Sequence, residues 1–160
     1  MTEDSAPYDL PARRLLSVAV KDVKVKKEPA LRITVTWEQQ REDGEWDKFR
    51  FASTQEPRHT FWPAMSSVTP HALSVLNLGA DYVDNAMAVS VKLSYDDDDH
   101  MIASAKVRKL TIAGEGFLET PAVAKDGDYE SFLAPDYAEV LEDLQKEALA
   151  FANGVTWEMA

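Results

Sequence analysis

The chain has 160 residues, which predicts one domain, with or without a tail, and is long enough to bury a core without cross-links. It has no cysteine, which excludes disulfides, thiolate zinc sites, iron–sulfur clusters and cysteine nucleophiles. The net charge is −11, which argues against general binding of duplex DNA. No apolar run approaches the ~20 residues that span a bilayer, and the start does not resemble a secretory signal. We therefore expect a cytoplasmic protein without a membrane partner.

The charge is distributed unevenly along the chain. Residues 119–160 carry 2 basic and 10 acidic side chains, whereas residues 13–58 carry 11 basic and 8 acidic ones. Such asymmetry bears on partners and solubility and not on the fold. The acidic end is typical of a well-solvated helix, or of a surface that binds a basic partner.

Three strands are predicted in the first third of the chain. Apolar residues alternate with polar ones over 15–26, with a phase slip at Asp22 that predicts a bulge or bend. A second strand is predicted by the strict alternation of Leu31, Ile33, Val35 and Trp37 with polar residues. Asp43 and Gly44 then predict the turn into a third strand, 46–52.

A broken pair of helices is predicted next. Thr60 can cap the first helix, and Pro63 suits its first turn, where a missing N–H costs little. Thr69, followed by a proline, predicts a second cap, and Gly79 ends the segment.

The last third predicts a hairpin, a loop and a helix. Alternation over 89–95 and, more weakly, over 102–112 predicts two further strands, and 114–131 is predicted to be a loop. Pro135 opens the strongest helix, which should end near Gly154. Its apolar stripe consists of Tyr137, Val140, Leu141, Leu144, Ala148 and Phe151.

The element order β-β-β-α-β-β-α predicts an α+β fold. Hairpins separated by a helix favour a mostly antiparallel sheet of about five strands, with helices on one face and an acidic C-terminal helix. Residues 1–12 are predicted to be a flexible arm, 13–154 the single domain and 155–160 a tail.

Catalytic signatures are missing from the sequence. It has no phosphate-binding loop, no H-E-x-x-H and no G-x-S-x-G, so we predict no catalytic residue and no cofactor. Four aspartates and a histidine occupy 96–100, and Asp97, Asp99 and His100 are weak candidates for metal ligands. The simpler interpretation is a solvated hairpin tip that blocks edge pairing.

One strand face combines an aromatic residue with cations. Trp46, Lys48 and Arg50 alternate on the third strand and share a face. Rings that stack on bases and cations that bind phosphate are what a single-stranded nucleic acid needs. The alternative is that Trp46 merely borders the core.

The acidic C-terminal helix provides a second candidate surface. Glu139, Asp143 and Glu147 are four residues apart and should align, with Glu142 beside them. Trp157 follows on the short tail, as a docking anchor or as a residue folded back on the helix.

Three segments resemble a family of small phage and prophage proteins found in replication and recombination gene blocks. These segments are the Pro-x-x-x-Phe step at 57–61, the strand pair 87–95 and 102–110, and the terminal helix 141–154. The tail departs from the family, in which a basic tail is usual. The resemblance implies a role near DNA transactions in the cytoplasm of an infected or lysogenic host, and no specific chemistry.

The sequence leaves three functions open. The first is a non-enzymatic phage accessory protein that binds a basic partner protein, for example as a DNA mimic or counter-defence inhibitor of a nucleic-acid enzyme. The second is a single-stranded DNA-binding protein of a recombination module, acting through Trp46, Lys48 and Arg50. The third is a metal-dependent enzyme built around 96–100.

Overall fold

The computed structural model describes residues 12–78, 82–97, 100–111, 113–124 and 135–155. The elements, in chain order, are β1 (Arg13–Val25), β2 (Glu28–Gln40), β3 (Trp46–Ser53), α1 (Phe61–Ser66), α2 (Val68–Val75), β4 (Ala86–Tyr95), β5 (Met101–Thr111), β6 (Gly114–Glu119), β7 (Val123–Ala124) and α3 (Pro135–Ala152). The α+β class and the mostly antiparallel sheet predicted from the sequence are confirmed. The predicted flexible arm, apart from Ala12, and the predicted tail, apart from Val155, lie outside the described residues.

Among the residues that the structure describes, the sheet has seven strands and not about five. Six strands follow the order β3-β2-β1-β4-β5-β6, and β7 pairs with β5 beyond the end of β6. Both additional strands lie in the segment 114–131 that was predicted to be a loop. Their sequences lack apolar alternation, and it is pairing with β5 that makes them strands, an effect of tertiary context on a weak local preference.

One face of the sheet is covered by the helices. Alternate strand residues point toward α1, α2 and α3 and are almost completely buried, as are the inward residues of the helices. The largest fully buried side chains are Tyr137, Phe61, Phe151, Leu15, Ile33, Met65, Leu73, Leu141, Leu144, Val18, Val35 and Val68. The ring of Phe151 on α3 meets Phe51 on β3 edge to face, with 5.7 Å between centroids. This packing fixes α3 against the sheet.

The irregularity in β1 does not lie at Asp22. The register between β1 and β2 shifts between Leu15 and Ser17 and then runs without interruption to the pair of Val25 and Glu28. Consequently Val23 and Val25 point to the face opposite Val18. No bulge is needed to return Val23 and Val25 to the core face. The end of the hairpin extends past the neighbouring strands, and neither of its faces packs on the core.

We call residues 21–32 the β-ribbon. β4 pairs with β1 only at residues 17–19, and β3 pairs with β2 only from Ile33 onward. The ribbon strands therefore pair only with each other in the described structure, and they project from the sheet.

Two threonines predicted to cap helices bind elsewhere. Thr60 precedes α1 without a capping hydrogen bond from its side chain. Its hydroxyl instead donates to Glu147 on α3, at 2.8 Å. Thr69 lies inside α2, which begins one residue earlier at Val68, and its hydroxyl accepts a hydrogen bond from the backbone N–H of Ala88 on β4. Both hydroxyls tie helices to the rest of the fold.

Candidate nucleic-acid interface

The face of the sheet opposite the helices is called the open face here. Strand residues that alternate with the buried ones point to it, and the pairing register aligns them across the sheet. One row across the sheet runs Arg50, Thr36, Ser17, Lys92, Ser104, and the next runs Ala52, Thr34, Ala19, Ser90, Lys106, Glu119. The middle of the open face is thus a floor of small, mostly hydroxyl-bearing side chains.

Cations outnumber carboxylates on the open face. By the same alternation its cationic side chains are Arg14, Lys21, Arg32, Lys48, Arg50, Lys92, Lys106 and Arg108. Its carboxylates are Glu28, Glu38, Glu115 and Glu119. A chain with a net charge of −11 therefore carries a locally positive surface.

Three of these cations have acidic partners. The guanidinium of Arg14 binds Glu38 at 2.7 Å, and Arg108 binds Asp22 at 2.8 Å. The ammonium of Lys106 lies 3.5 Å from the carboxylate of Glu119.

The other five cations form no ion pair with any residue that the structure describes. They are Lys21, Arg32, Lys48, Arg50 and Lys92, and all five side chains are exposed. A cation without a carboxylate partner can bind an external anion without first breaking an internal ion pair.

Two clefts indent the open face. A cleft of about 590 Å³ is lined by residues that include Ser17, Thr36, Lys48, Lys92 and Ser104. A second cleft, of about 490 Å³, opens where β1 and β4 diverge. It combines apolar side chains such as Met87 with the cations Lys21, Lys106 and Arg108 and the carboxylates Asp22 and Glu115. A smaller cavity of about 120 Å³, lined by residues that include Ser90, Lys92, Lys106 and Glu119, lies beside both. The surface is therefore indented, and cations outnumber carboxylates in its lining.

Aromatic rings lie at both edges of the open face. At the β3 edge, the guanidinium of Arg14 lies 4.0 Å from the ring centroid of Trp46. The same guanidinium lies 4.5 Å from the ring centroid of Tyr95 on β4, but Tyr95 packs against the core and its hydroxyl also reaches Gln145 on α3, so this ring belongs to the helix-covered side. Burial raises the pKa of Tyr95 to about 12, so its hydroxyl stays protonated and donates to the carbonyl of Leu15. At the β6 edge, Phe117 is 53% exposed, with the ammonium of Lys106 5.6 Å from its centroid. Phe117 is the more accessible stacking ring.

The structure brings the predicted nucleic-acid residues together and adds others. Trp46, Lys48 and Arg50 share the open face, as their spacing predicted, but Trp46 is half-buried beneath Arg14. Lys92 was not predicted, although its position between Val91 and Leu93, which are both buried, already indicated an outward side chain. Lys21, Arg32, Lys106 and Arg108 were not predicted because the strand register is needed to place them, and Phe117 was not predicted because it lay in the predicted loop.

The predicted partner-binding residues of α3 separate into two groups. Glu139, Glu142 and Asp143 are exposed and form no ion pair within the described residues. Glu147 is 8% exposed and faces the fold, so it does not belong to the exposed acidic surface. Trp157 lies outside the described residues.

Glu147 is held by an internal network. Its carboxylate accepts two hydrogen bonds from Arg58, at 2.8 and 2.9 Å, and one from Thr60 at 2.8 Å. Burial alone raises the pKa of Glu147, but the hydrogen bonds from Arg58 and Thr60 and the charge of Arg58 outweigh burial and lower it. The network joins α3 to the segment before α1, and it has a structural role.

The candidate metal ligands are not assembled in the described part of the chain. The carboxylate of Asp96 accepts the backbone N–H of His100 at 2.8 Å and lies 3.2 Å from its ring Nδ1, which closes the β4–β5 turn. Asp97 is exposed, and Asp99 lies outside the described residues. Among described residues, no three His, Asp or Glu side chains are grouped so that they could hold a metal ion.

Comparisons of this chain with protein-family models, with curated proteins and with solved structures find no match. In the part of the chain that the structure describes, no helix has the length and apolar character needed to cross a membrane.

Proposed function

We propose that the protein binds single-stranded DNA on the open face. The observation that carries this proposal is the set of five unpaired cations around a concave floor of small hydroxyl-bearing side chains. An antiparallel sheet with a solvated face needs polar residues there, but it does not need an excess of one charge.

The geometry suits an extended single strand better than a duplex. Small side chains such as Ser17, Thr36 and Ser104 let a strand approach the sheet closely, and their hydroxyls can donate to phosphate or base. Arg50 and Lys92 provide cations for phosphates along one row, and Lys48 provides another on the neighbouring row, opposite Glu38. Phe117, near the far edge, offers a ring on which a base can stack, and such stacking tolerates any sequence.

The expected context is an accessory, non-enzymatic role. The resemblance of segments 57–61, 87–95 with 102–110, and 141–154 to phage and prophage proteins of replication and recombination blocks implies a role near DNA transactions in the host cytoplasm, with which a single-stranded DNA partner agrees. In this proposal the protein covers or presents the strand and does not cleave it.

A titration with labelled oligothymidylate of about 12 nucleotides tests the proposal. We expect binding that weakens about tenfold or more in the double variant Lys48→Ala with Lys92→Ala, because two phosphate contacts are lost. Lys146→Ala is the matched control, since it removes an exposed lysine on α3, and it should leave affinity unchanged. Equal affinity for the double variant and the parent contradicts the proposal.

A second candidate function rests on α3. Its first four turns expose Glu139, Glu142 and Asp143, and α3 carries five acidic residues and one basic residue. This acidic surface suits a basic partner protein, such as a nucleic-acid enzyme, that it would bind as a DNA mimic or inhibitor. Glu139→Lys with Asp143→Lys would then slow association with that partner, whereas it should not weaken oligonucleotide binding to the open face.

A further inference from the structure

The β-ribbon, residues 21–32, is exposed and strongly cationic. Its cations are Lys21, Lys24, Lys26, Lys27 and Arg32, and none forms an ion pair with a residue that the structure describes. Of its two carboxylates, Asp22 binds Arg108 on β5, which leaves Glu28. The ribbon therefore concentrates positive charge beyond the body of the fold.

The turn of the β-ribbon is chemically unusual. Lys26 and Lys27 have φ values of 52° and 70°, the left-handed region at both central positions of a two-residue hairpin turn. Such type I′ turns favour Asn-Gly, because lysine pays a steric penalty at positive φ. Two lysines at these positions place positive charge at the tip and destabilise the turn. Such a pattern is expected where a functional requirement, and not stability, selects the residue type.

We propose that the β-ribbon enters the groove of a DNA duplex that adjoins the single strand on the open face. The substrate is then a junction between single-stranded and duplex DNA, and this inference rests on the proposed function. Five residues of ribbon strand extend about 17 Å, enough to reach into a major groove about 12 Å wide and about 8.5 Å deep, which admits a two-stranded ribbon. The lysines at the tip would bind the phosphates that border the groove.

The position of the ribbon relative to the open face fits one continuous path. Lys21 and Arg32 at the ribbon base point to the open face, and Lys21 lines the cleft of about 490 Å³ together with Lys106 and Arg108. A DNA strand that leaves the floor of small side chains therefore passes this cleft before it meets the ribbon.

Replacing the tip by the turn-favoured pair, Lys26→Asn with Lys27→Gly, tests the inference. Binding is measured to a single strand, a blunt duplex and a junction of the two, with the thermal unfolding midpoint as a folding control. We expect the parent to bind the junction about tenfold more tightly than the single strand. The affinity of the variant for the junction should be about tenfold lower than that of the parent. Its slope of log affinity against log salt on the junction should be smaller in magnitude by about 2, and its affinity for the single strand should not change. Its unfolding midpoint should stay equal or rise, so that lost binding cannot be attributed to unfolding.

A second variant separates charge from shape. Lys26→Arg with Lys27→Arg keeps both charges in the same turn and should retain junction affinity. Equal junction binding by the Asn-Gly variant and the parent, with single-strand binding present, overturns the ribbon inference alone. A parent that does not bind the single strand at all overturns the proposed function and the junction inference together.

Discussion

The helix-covered face and the open face of the sheet are built from the same strands, yet their side chains differ in kind. The covered face carries Leu15, Val18, Ile33, Val35, Val91 and Leu93, each at most 4% exposed. The open face carries serine, threonine and alanine in its middle and five unpaired cations around them. Burial of apolar area explains the first set completely. It does not explain an excess of positive charge on the second.

The same comparison applies to charge across the molecule. The helix layer exposes Glu139, Glu142 and Asp143, on the side of the sheet away from the open face. Opposite signs on opposite sides would orient an approaching polyanion toward the open face, because the field acts before contact. The overall charge of −11 therefore does not argue against a nucleic acid bound at this face.

The largest expected effect is on the covered face. Leu144→Ala truncates a fully buried side chain, so it should lower the free energy of unfolding by about 2–5 kcal/mol through lost burial and a cavity. Chemical denaturation followed by circular dichroism measures this. An unfolding curve that coincides with that of the parent would mean that α3 is not docked on the sheet.

Glu147→Gln should have the next largest effect, about 1–3 kcal/mol of unfolding free energy, because Arg58 loses a charged partner. The pH dependence has a definite sign. The folded-state pKa of Glu147 is lowered from its usual 4.5, so its stabilisation is present above that value and is lost as pH falls through the folded-state pKa. The stability difference between parent and variant should therefore shrink in acid. A difference that grows as pH falls would contradict this assignment.

Much of the covered face could be predicted from the sequence, and less of the open face. The alternation at Ile33 and Val35 and the stripe through Leu144 have the periods of a half-buried strand and of an amphipathic helix, and these periods determine which residues face the core. The cations of the open face come from five strands, and the sequence alone does not give their register. Phe117 and Val123 were missed because their strands form by pairing with β5 and have no period of their own.

On the open face, removal of cations should barely change stability. Lys48→Ala with Lys92→Ala removes two exposed side chains without ion pairs, so the unfolding free energy should change by no more than about 0.5 kcal/mol. Thermal unfolding of this variant, of Leu144→Ala and of the parent compares how much each face contributes to stability. A loss as large as that of Leu144→Ala would show that these lysines are part of the packing.

The smallest expected effect concerns the charge of the helix layer. Glu139→Gln with Asp143→Gln should strengthen oligonucleotide binding about twofold at low salt, and the gain should vanish at higher salt because the charges act at a distance. Fluorescence anisotropy at two salt concentrations measures this. Weaker oligonucleotide binding by this variant would contradict the account in which the charges of the helix layer and of the open face act in opposite directions on the nucleic acid.

The salt dependence of single-strand binding tests the central claim most directly. Each phosphate bound by a cation on a single strand contributes about −0.7 to the slope of log affinity against log salt. If three to five of the unpaired cations of the open face bind phosphates, the parent slope should lie between about −2 and −3.5. The slope should become less steep by about 1.4 in Lys48→Ala with Lys92→Ala. A slope near zero, or one that the double variant leaves unchanged, would contradict the account of the open face as a nucleic-acid interface.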